Sequence, residues 1–224
     1  MSNREKVGRN DMHINKLLDK IRYKHLIQAS APYIAVVIGL CYFRNAWLTL
    51  LLYHLQIILY GYLFKIDIKK LLFKGFSAKY FLAFVIPLLF FGPLLYKFFP
   101  YILNDSVVFK EWLYANGISS KSFMILIPYF CIVHPVLEEI HWGKFREYAN
   151  QQWIMYVLFA GYHILVLANL LSRIWLIISF LVLVGVAYLW TVLYKKLNGG
   201  IIPFLSHLVA DIGIIGVAYA VVFK

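Results

Sequence analysis

Seven apolar segments divide the chain, each close to the roughly 20 residues that a helix needs to cross the hydrocarbon core of a bilayer. Hydrophobic residues make up 62% of the sequence and charged residues only 14%, against about 25% in typical soluble chains. Because the apolar residues occur in continuous blocks, the pattern predicts helices rather than a barrel. We expect an all-α, polytopic membrane helix bundle with about seven transmembrane helices, at residues 26–43, 46–64, 80–102, 123–142, 152–170, 174–194 and 201–223.

The net charge of +12 is distributed unevenly between the apolar segments. If the segments cross the membrane in alternating directions, 16 of the 22 lysines and arginines lie on the side of the N-terminus. Basic residues are enriched on the cytoplasmic side and contact anionic lipid headgroups. We therefore expect a multi-pass protein of the cell membrane with a cytoplasmic N-terminus and with membrane lipids, not nucleic acid, as partners.

The chain is predicted to form one membrane domain with three parts. Residues 1–25 form a basic cytoplasmic tail, which is either solvated or an amphipathic helix on the membrane surface. Residues 26–122 hold the first transmembrane helices and an interfacial segment, and residues 123–224 hold the remaining helices. Pro87 and Pro93 predict a kink or a break in the third span.

Ionisable residues inside membrane spans usually face the interior of the bundle and mark functional sites. At a helical rise of about 1.5 Å per residue, the candidates in the last four spans lie in the cytoplasmic half of the membrane or near its midplane. A single cavity facing the cytoplasm could therefore collect them. His207 and Asp211 share a helix face, whereas Glu139 is turned about 100° from Glu138. The ionisable residues in the spans are His54, His134, Glu138, Glu139, His141, His163, His207 and Asp211.

The same residues also have purely structural interpretations. Glu138 and Glu139 could be interfacial charges that reach the headgroups, and His207 with Asp211 could be a structural hydrogen bond. His54 and His134 are predicted to be interhelical hydrogen-bonding residues. An acidic pair, a histidine on the next helix and a His-x-x-x-Asp on a later helix together favour a functional site.

Three short motifs on successive predicted helices carry a resemblance to a known family. They are Glu138-Glu139, Phe159-x-x-x-His163 and His207-x-x-x-Asp211. Their order and spacing resemble the CPBP family of intramembrane proteases, also called the CAAX protease, Abi or type II CAAX prenyl endopeptidase family. The resemblance covers about residues 123–223. It implies an endopeptidase whose substrates are prenylated C-termini or small leader or bacteriocin-type peptides.

The resemblance also implies roles for individual residues. Glu138 would be the general base that activates a water molecule, with His163 holding or polarising that water and Glu139 in support. His207 and Asp211 would stabilise the oxyanion or orient its donors. Glu138, His163 and His207 could instead bind zinc or another divalent metal, since catalytic zinc sites combine three protein ligands with an open position. The sequence leaves these two mechanisms open.

The chain departs from the family at one position. The family pattern Glu-Glu-x-x-x-Arg has Gly143 in place of arginine, and Lys144 or Arg146 could supply the missing cation. A non-catalytic immunity or scaffold protein is therefore an alternative. A haem or ion-handling protein is a further alternative, because intramembrane histidines can be axial ligands. Catalysis by Cys131 is not expected, because that residue lies inside an apolar run.

Overall fold

The computed structural model describes residues 28–63, 65–146 and 152–223, and the helices of these ranges form a bundle without a β-strand. Over these residues, five helices are long and apolar enough to cross a membrane, and two further apolar helices are shorter. The predicted all-α membrane bundle is confirmed, and the tail over residues 1–25 lies outside the described residues. The helices are α1 (Gln28–Tyr42), α2 (Ala46–Leu63), α3 (Ile68–Phe73), α4 (Ala78–Ile102), α5 (Phe109–Ala115), α6 (Ser120–Phe145), α7 (Gln152–Leu167), α8 (Arg173–Leu197) and α9 (Ile201–Phe223).

The predicted break in the third span is confirmed in α4. A 3₁₀ turn over Ile86–Phe90 separates two α-helical parts, because Pro87 has no backbone N–H to continue the α-helical ladder. The second part of α4 packs on α9 where Gly92 meets Gly213. A Cβ atom on Gly92 would lie 3.1 Å from the Cα atom of Gly213, so the two helices touch backbone to backbone.

The helix α6 changes its winding in the middle. Residues Tyr129–Val133 form a π-helical segment, in which the N–H of His134 donates to the carbonyl of Tyr129. Pro135 has no N–H for the carbonyl of Cys131, and its ring excludes the ordinary position of that carbonyl. The wider winding is the local response to this proline. It sets the direction of the helical segment His134–Phe145, which carries both glutamates.

The helix α3 is fixed against the turn between α8 and α9. The N–H of Gly200 donates to the carbonyl of Lys70, and the N–H of Ile201 donates to the carbonyl of Lys74, both at 3.0 Å. A Cβ atom on Gly200 would overlap the carbonyl oxygen of Leu71, so only glycine allows this approach. The contact fixes the start of α9, which carries His207 and Asp211.

Candidate functional site

The carboxylate of Glu138 lies at the centre of the site, and only 1% of this residue is exposed. Its Oε1 atom accepts a hydrogen bond from the hydroxyl of Tyr53 at 3.0 Å and another from the hydroxyl of Tyr162. The indole N–H of Trp142 donates to the Tyr53 hydroxyl at 2.8 Å. Because two donors hold Oε1, the carboxylate has a fixed orientation.

The second carboxylate oxygen of Glu138 faces three imidazole rings. Its Oε2 atom lies 3.3 Å from Nε2 of His207, 3.6 Å from Nε2 of His134 and 3.9 Å from Nε2 of His163. This buried oxygen has no hydrogen-bond partner among the described residues. A water molecule needs two to four polar partners, and this group of atoms offers that number.

The ring of His163 is oriented by its own helix. Nδ1 donates to the carbonyl of Phe159 at 2.8 Å, one turn earlier in α7. In a neutral ring Nε2 then carries the lone pair, and it lies 3.0 Å from the hydroxyl of Tyr162. With 24% of its side chain exposed, His163 is the most accessible of the imidazoles around Glu138. The phenylalanine and the histidine of the predicted Phe-x-x-x-His motif are thus in direct contact.

Glu139 forms a buried, bidentate ion pair with Arg146. The guanidinium donates from Nη1 to Oε2 at 2.5 Å and from Nη2 to Oε1 at 2.9 Å, and it lies 5.4 Å from the ring centroid of Trp190. A Cβ atom on Gly143 would lie 3.3 Å from Oε2 of Glu139 and 3.4 Å from Nη1 of Arg146. The missing side chain therefore leaves room for the guanidinium to fold back by almost two turns. Of the two cations considered, Lys144 and Arg146, the structure places Arg146 on the carboxylate.

His207 connects the two glutamates. Its Nδ1 atom donates to Oε1 of Glu139 at 3.2 Å, and its Nε2 atom lies 3.3 Å from Oε2 of Glu138 and 3.6 Å from Oδ2 of Asp211. Nε2 therefore faces two carboxylate oxygens. The arrangement is electrostatically complementary when His207 carries a proton on both ring nitrogens. Asp211 then orients the imidazolium from the next turn of α9.

The structure brings together all five residues that the sequence analysis selected. It adds the hydroxyls of Tyr53 and Tyr162, which were not predicted from the sequence, so the site extends beyond residues 123–224 to α2. Their only sequence signal is that each directly precedes a histidine of a span. His141 lies on the same helix face as Glu138, but it is surrounded by aromatic rings, and its ring nitrogens have no hydrogen-bond partner within the part of the chain that the structure describes.

The donor types around Glu138 suit zinc, since imidazole and carboxylate are its common ligands. Over residues 28–63, 65–146 and 152–223, however, no group of three or more His, Cys, Asp or Glu side chains is arranged to hold a metal ion.

Comparisons of the chain with protein-family models, with curated proteins and with solved structures found no match. A function for the protein therefore rests on the chemistry of its site.

Proposed function

We propose that the protein is an intramembrane endopeptidase of the CPBP type, in which Glu138 activates a water molecule for peptide hydrolysis. The observation that carries the proposal is the free Oε2 atom of a buried carboxylate whose other oxygen is held by two tyrosines. A general base must lie within hydrogen-bond reach of the proton that it removes. A water molecule bound to Oε2 beside Nε2 of His163 would meet that condition.

The first step is the attack of this water on the substrate carbonyl. Glu138 takes one proton from the water, while Nε2 of His163 accepts a hydrogen bond from the other hydrogen and so fixes the direction of attack. Because Tyr53 and Tyr162 hold Oε1, the carboxylate spends no free energy on reorientation during the step. Glu138 then returns the proton to the leaving amine, so the base is regenerated and one water molecule is consumed.

The negative charge of the tetrahedral intermediate needs a donor, and His207 supplies it. A doubly protonated His207 donates from Nε2 to the oxyanion while Nδ1 stays bound to Glu139. The Glu139–Arg146 pair fixes the position of that ring, and Asp211 favours its charged form. The buried cation that the family pattern places four residues after the second glutamate is supplied here by Arg146, seven residues after it.

The substrate is proposed to be a prenylated C-terminus or a small leader or bacteriocin-type peptide, cleaved near the cytoplasmic face of the cell membrane. The bias of basic residues supports a cytoplasmic N-terminus, and in that orientation Glu138 lies on the cytoplasmic half of α6. The partial exposure of His163 supports approach of the peptide along α7.

The test is hydrolysis of fluorescence-quenched peptides by the purified protein in liposomes. The probes are a farnesylated peptide ending in Cys-aliphatic-aliphatic-X and a leader-type peptide. We expect Glu138→Gln to lower turnover by at least a hundredfold, the scale of general-base catalysis. Glu111→Gln, an exposed glutamate on α5, is the matched control and should retain full turnover. Equal turnover by both variants would refute the role of Glu138.

A non-catalytic immunity or scaffold protein is the second candidate, because Glu138 is almost completely buried in the structure described. A scaffold needs the shape of the Glu138 side chain but not its negative charge. Any cellular phenotype of the wild type would then survive Glu138→Gln, whereas a protease would lose the phenotype together with its turnover.

The metal-dependent mechanism makes a separate prediction. If zinc or another divalent ion is required, Glu138, His163 and His207 would be its ligands, and dialysis against 1,10-phenanthroline would abolish turnover. We propose the metal-free mechanism and expect turnover to persist after dialysis.

A further inference from the structure

Two buried histidines outside the proposed machinery form a chain that ends on Glu138. Nδ1 of His54 is hydrogen-bonded to the hydroxyl of Tyr129, and Nε2 of His54 lies 3.0 Å from Nδ1 of His134. Nε2 of His134 in turn lies 3.6 Å from Oε2 of Glu138. The prediction that His54 and His134 are interhelical hydrogen-bonding residues is confirmed, and each is the partner of the other. The chain joins α2 to α6 and ends on the oxygen assigned to the attacking water.

The hydrogen bonds of this chain run in one direction. Nε2 of His134 faces a carboxylate oxygen, so it carries the proton, and the neutral ring accepts at Nδ1. His54 must then donate from Nε2, which leaves its Nδ1 atom as an acceptor. Tyr129 fills that acceptor with its O–H. The opposite assignment would turn the lone pair of His134 towards the carboxylate of Glu138.

The local fold fixes both histidines in place. His54 and His134 are 3% and 7% exposed, and the ring of His134 stacks on Phe130 at a centroid distance of 4.5 Å. Tyr129 begins the π-helical segment that Pro135 causes, and the carbonyl of Tyr129 accepts from the N–H of His134. The π-helical winding therefore links Tyr129 directly to His134 through a backbone hydrogen bond.

We propose that Tyr129, His54 and His134 are positioning residues that keep Nε2–H of His134 directed at Oε2 of Glu138. This inference rests on the proposed role of Glu138 as the base. At 3.6 Å from Oε2 this N–H acts on the carboxylate through its dipole, which stabilises the negative charge of Glu138 and leaves a lone pair of Oε2 free for the water. Loss of the hydrogen bonds between Tyr129, His54 and His134 then lowers kcat and leaves KM, which reports peptide binding, nearly unchanged.

The first test detects the hydrogen bonds between Tyr129, His54 and His134 in the absence of substrate. In protein labelled with ¹⁵N-histidine and held in nanodiscs, His54 and His134 should both give the shifts of the Nε2–H tautomer, with assignments from single substitutions. Tyr129→Phe removes the donor to Nδ1 of His54 and should move the His54 signals, whereas Tyr62→Phe, at an 81% exposed position of α2, should not. An Nδ1–H tautomer at either histidine, or unmoved His54 signals in Tyr129→Phe, would overturn the proposal.

The second test separates positioning from a merely structural role. His54→Ala should lower kcat for the reporter peptides by about two- to tenfold at constant KM, the range expected for one lost hydrogen bond. His54→Gln should recover most of that loss, because its amide N–H can replace Nε2–H towards His134. Wild-type kcat in His54→Ala would overturn the positioning role. If the wild type cleaves no peptide, the proposed function fails instead. The tautomers of His54 and His134 then still show whether the hydrogen bonds from Tyr129 to His134 are formed.

Discussion

Replacing Arg146 by alanine would leave the carboxylate of Glu139 buried without its cation. Both members of the pair are nearly inaccessible, at 5% and 1% exposed side-chain surface, so the carboxylate would lose its cation in a site that bulk water hardly reaches. The substitution removes two charge-assisted hydrogen bonds, at 2.5 and 2.9 Å, and the contact with Trp190.

The magnitude follows from what remains on the carboxylate. Breaking a buried ion pair by removing one partner costs about 3–5 kcal/mol. Nδ1 of His207, at 3.2 Å in the wild type, still donates to Oε1 of Glu139 after the substitution. We therefore expect Arg146→Ala to lower the free energy of unfolding by about 3 kcal/mol, the lower end of that range. Arg173→Ala removes the same side chain from an exposed position and should change stability by less than about 0.5 kcal/mol.

The assay is unfolding in mixed micelles with a rising mole fraction of sodium dodecyl sulfate, followed by tryptophan fluorescence. The double variant Glu139→Gln/Arg146→Ala removes the stranded charge and should be more stable than Arg146→Ala alone. The reasoning is refuted if Arg146→Ala unfolds at the same mole fraction of sodium dodecyl sulfate as the wild type, or if the double variant is less stable than Arg146→Ala.

Two further predictions compare a substitution at a tight contact with the same substitution at an open one. Gly200→Ala should lower stability strongly, because its Cβ atom would overlap the carbonyl of Leu71, whereas Gly216→Ala, with no neighbouring heavy atom within 4 Å, should unfold like the wild type. Tyr53→Phe should lower kcat by about two- to tenfold, because Oε1 of Glu138, the proposed base, loses one donor. The exposed Tyr62→Phe should keep wild-type kcat, and reporter-peptide kinetics measure both.

The membrane fold could be predicted because its determinants are local in the sequence. Uninterrupted apolar runs of the right length predict helices wherever they occur, and each of the seven predicted spans corresponds to a helix. The break in α4 also follows from a local cause, since Pro87 removes a donor from the backbone.

The grouping of the site could be predicted only in part. Depth along each helix predicts that Glu138, His163 and His207 lie in the cytoplasmic half of the membrane or near its midplane. The structure brings the Nε2 atoms of His163 and His207 within 3.9 Å of the Glu138 Oε2 atom. The sequence does not predict Tyr53 and Tyr162, because their position directly before a histidine does not show that their hydroxyls reach a carboxylate on another helix.

The pairing of Arg146 with Glu139 lies beyond what sequence patterns can predict. Residues seven apart in a helix are usually too distant for a salt bridge. The long side chain of Arg146 reaches Glu139 because Gly143 leaves the intervening space empty. The sequence therefore left Lys144 and Arg146 as equal alternatives, and only the packing of the helix distinguishes them.

The most direct test of the proposed mechanism is to follow the oxygen of the attacking water. The protein in liposomes would cleave the reporter peptides in H₂¹⁸O, and mass spectrometry would read the new C-terminus. We expect one ¹⁸O atom in the product carboxylate of the wild type, and at least a hundredfold less product with Glu138→Gln. Product formed by Glu138→Gln at the wild-type rate, or wild-type product without ¹⁸O, would contradict activation of water by Glu138.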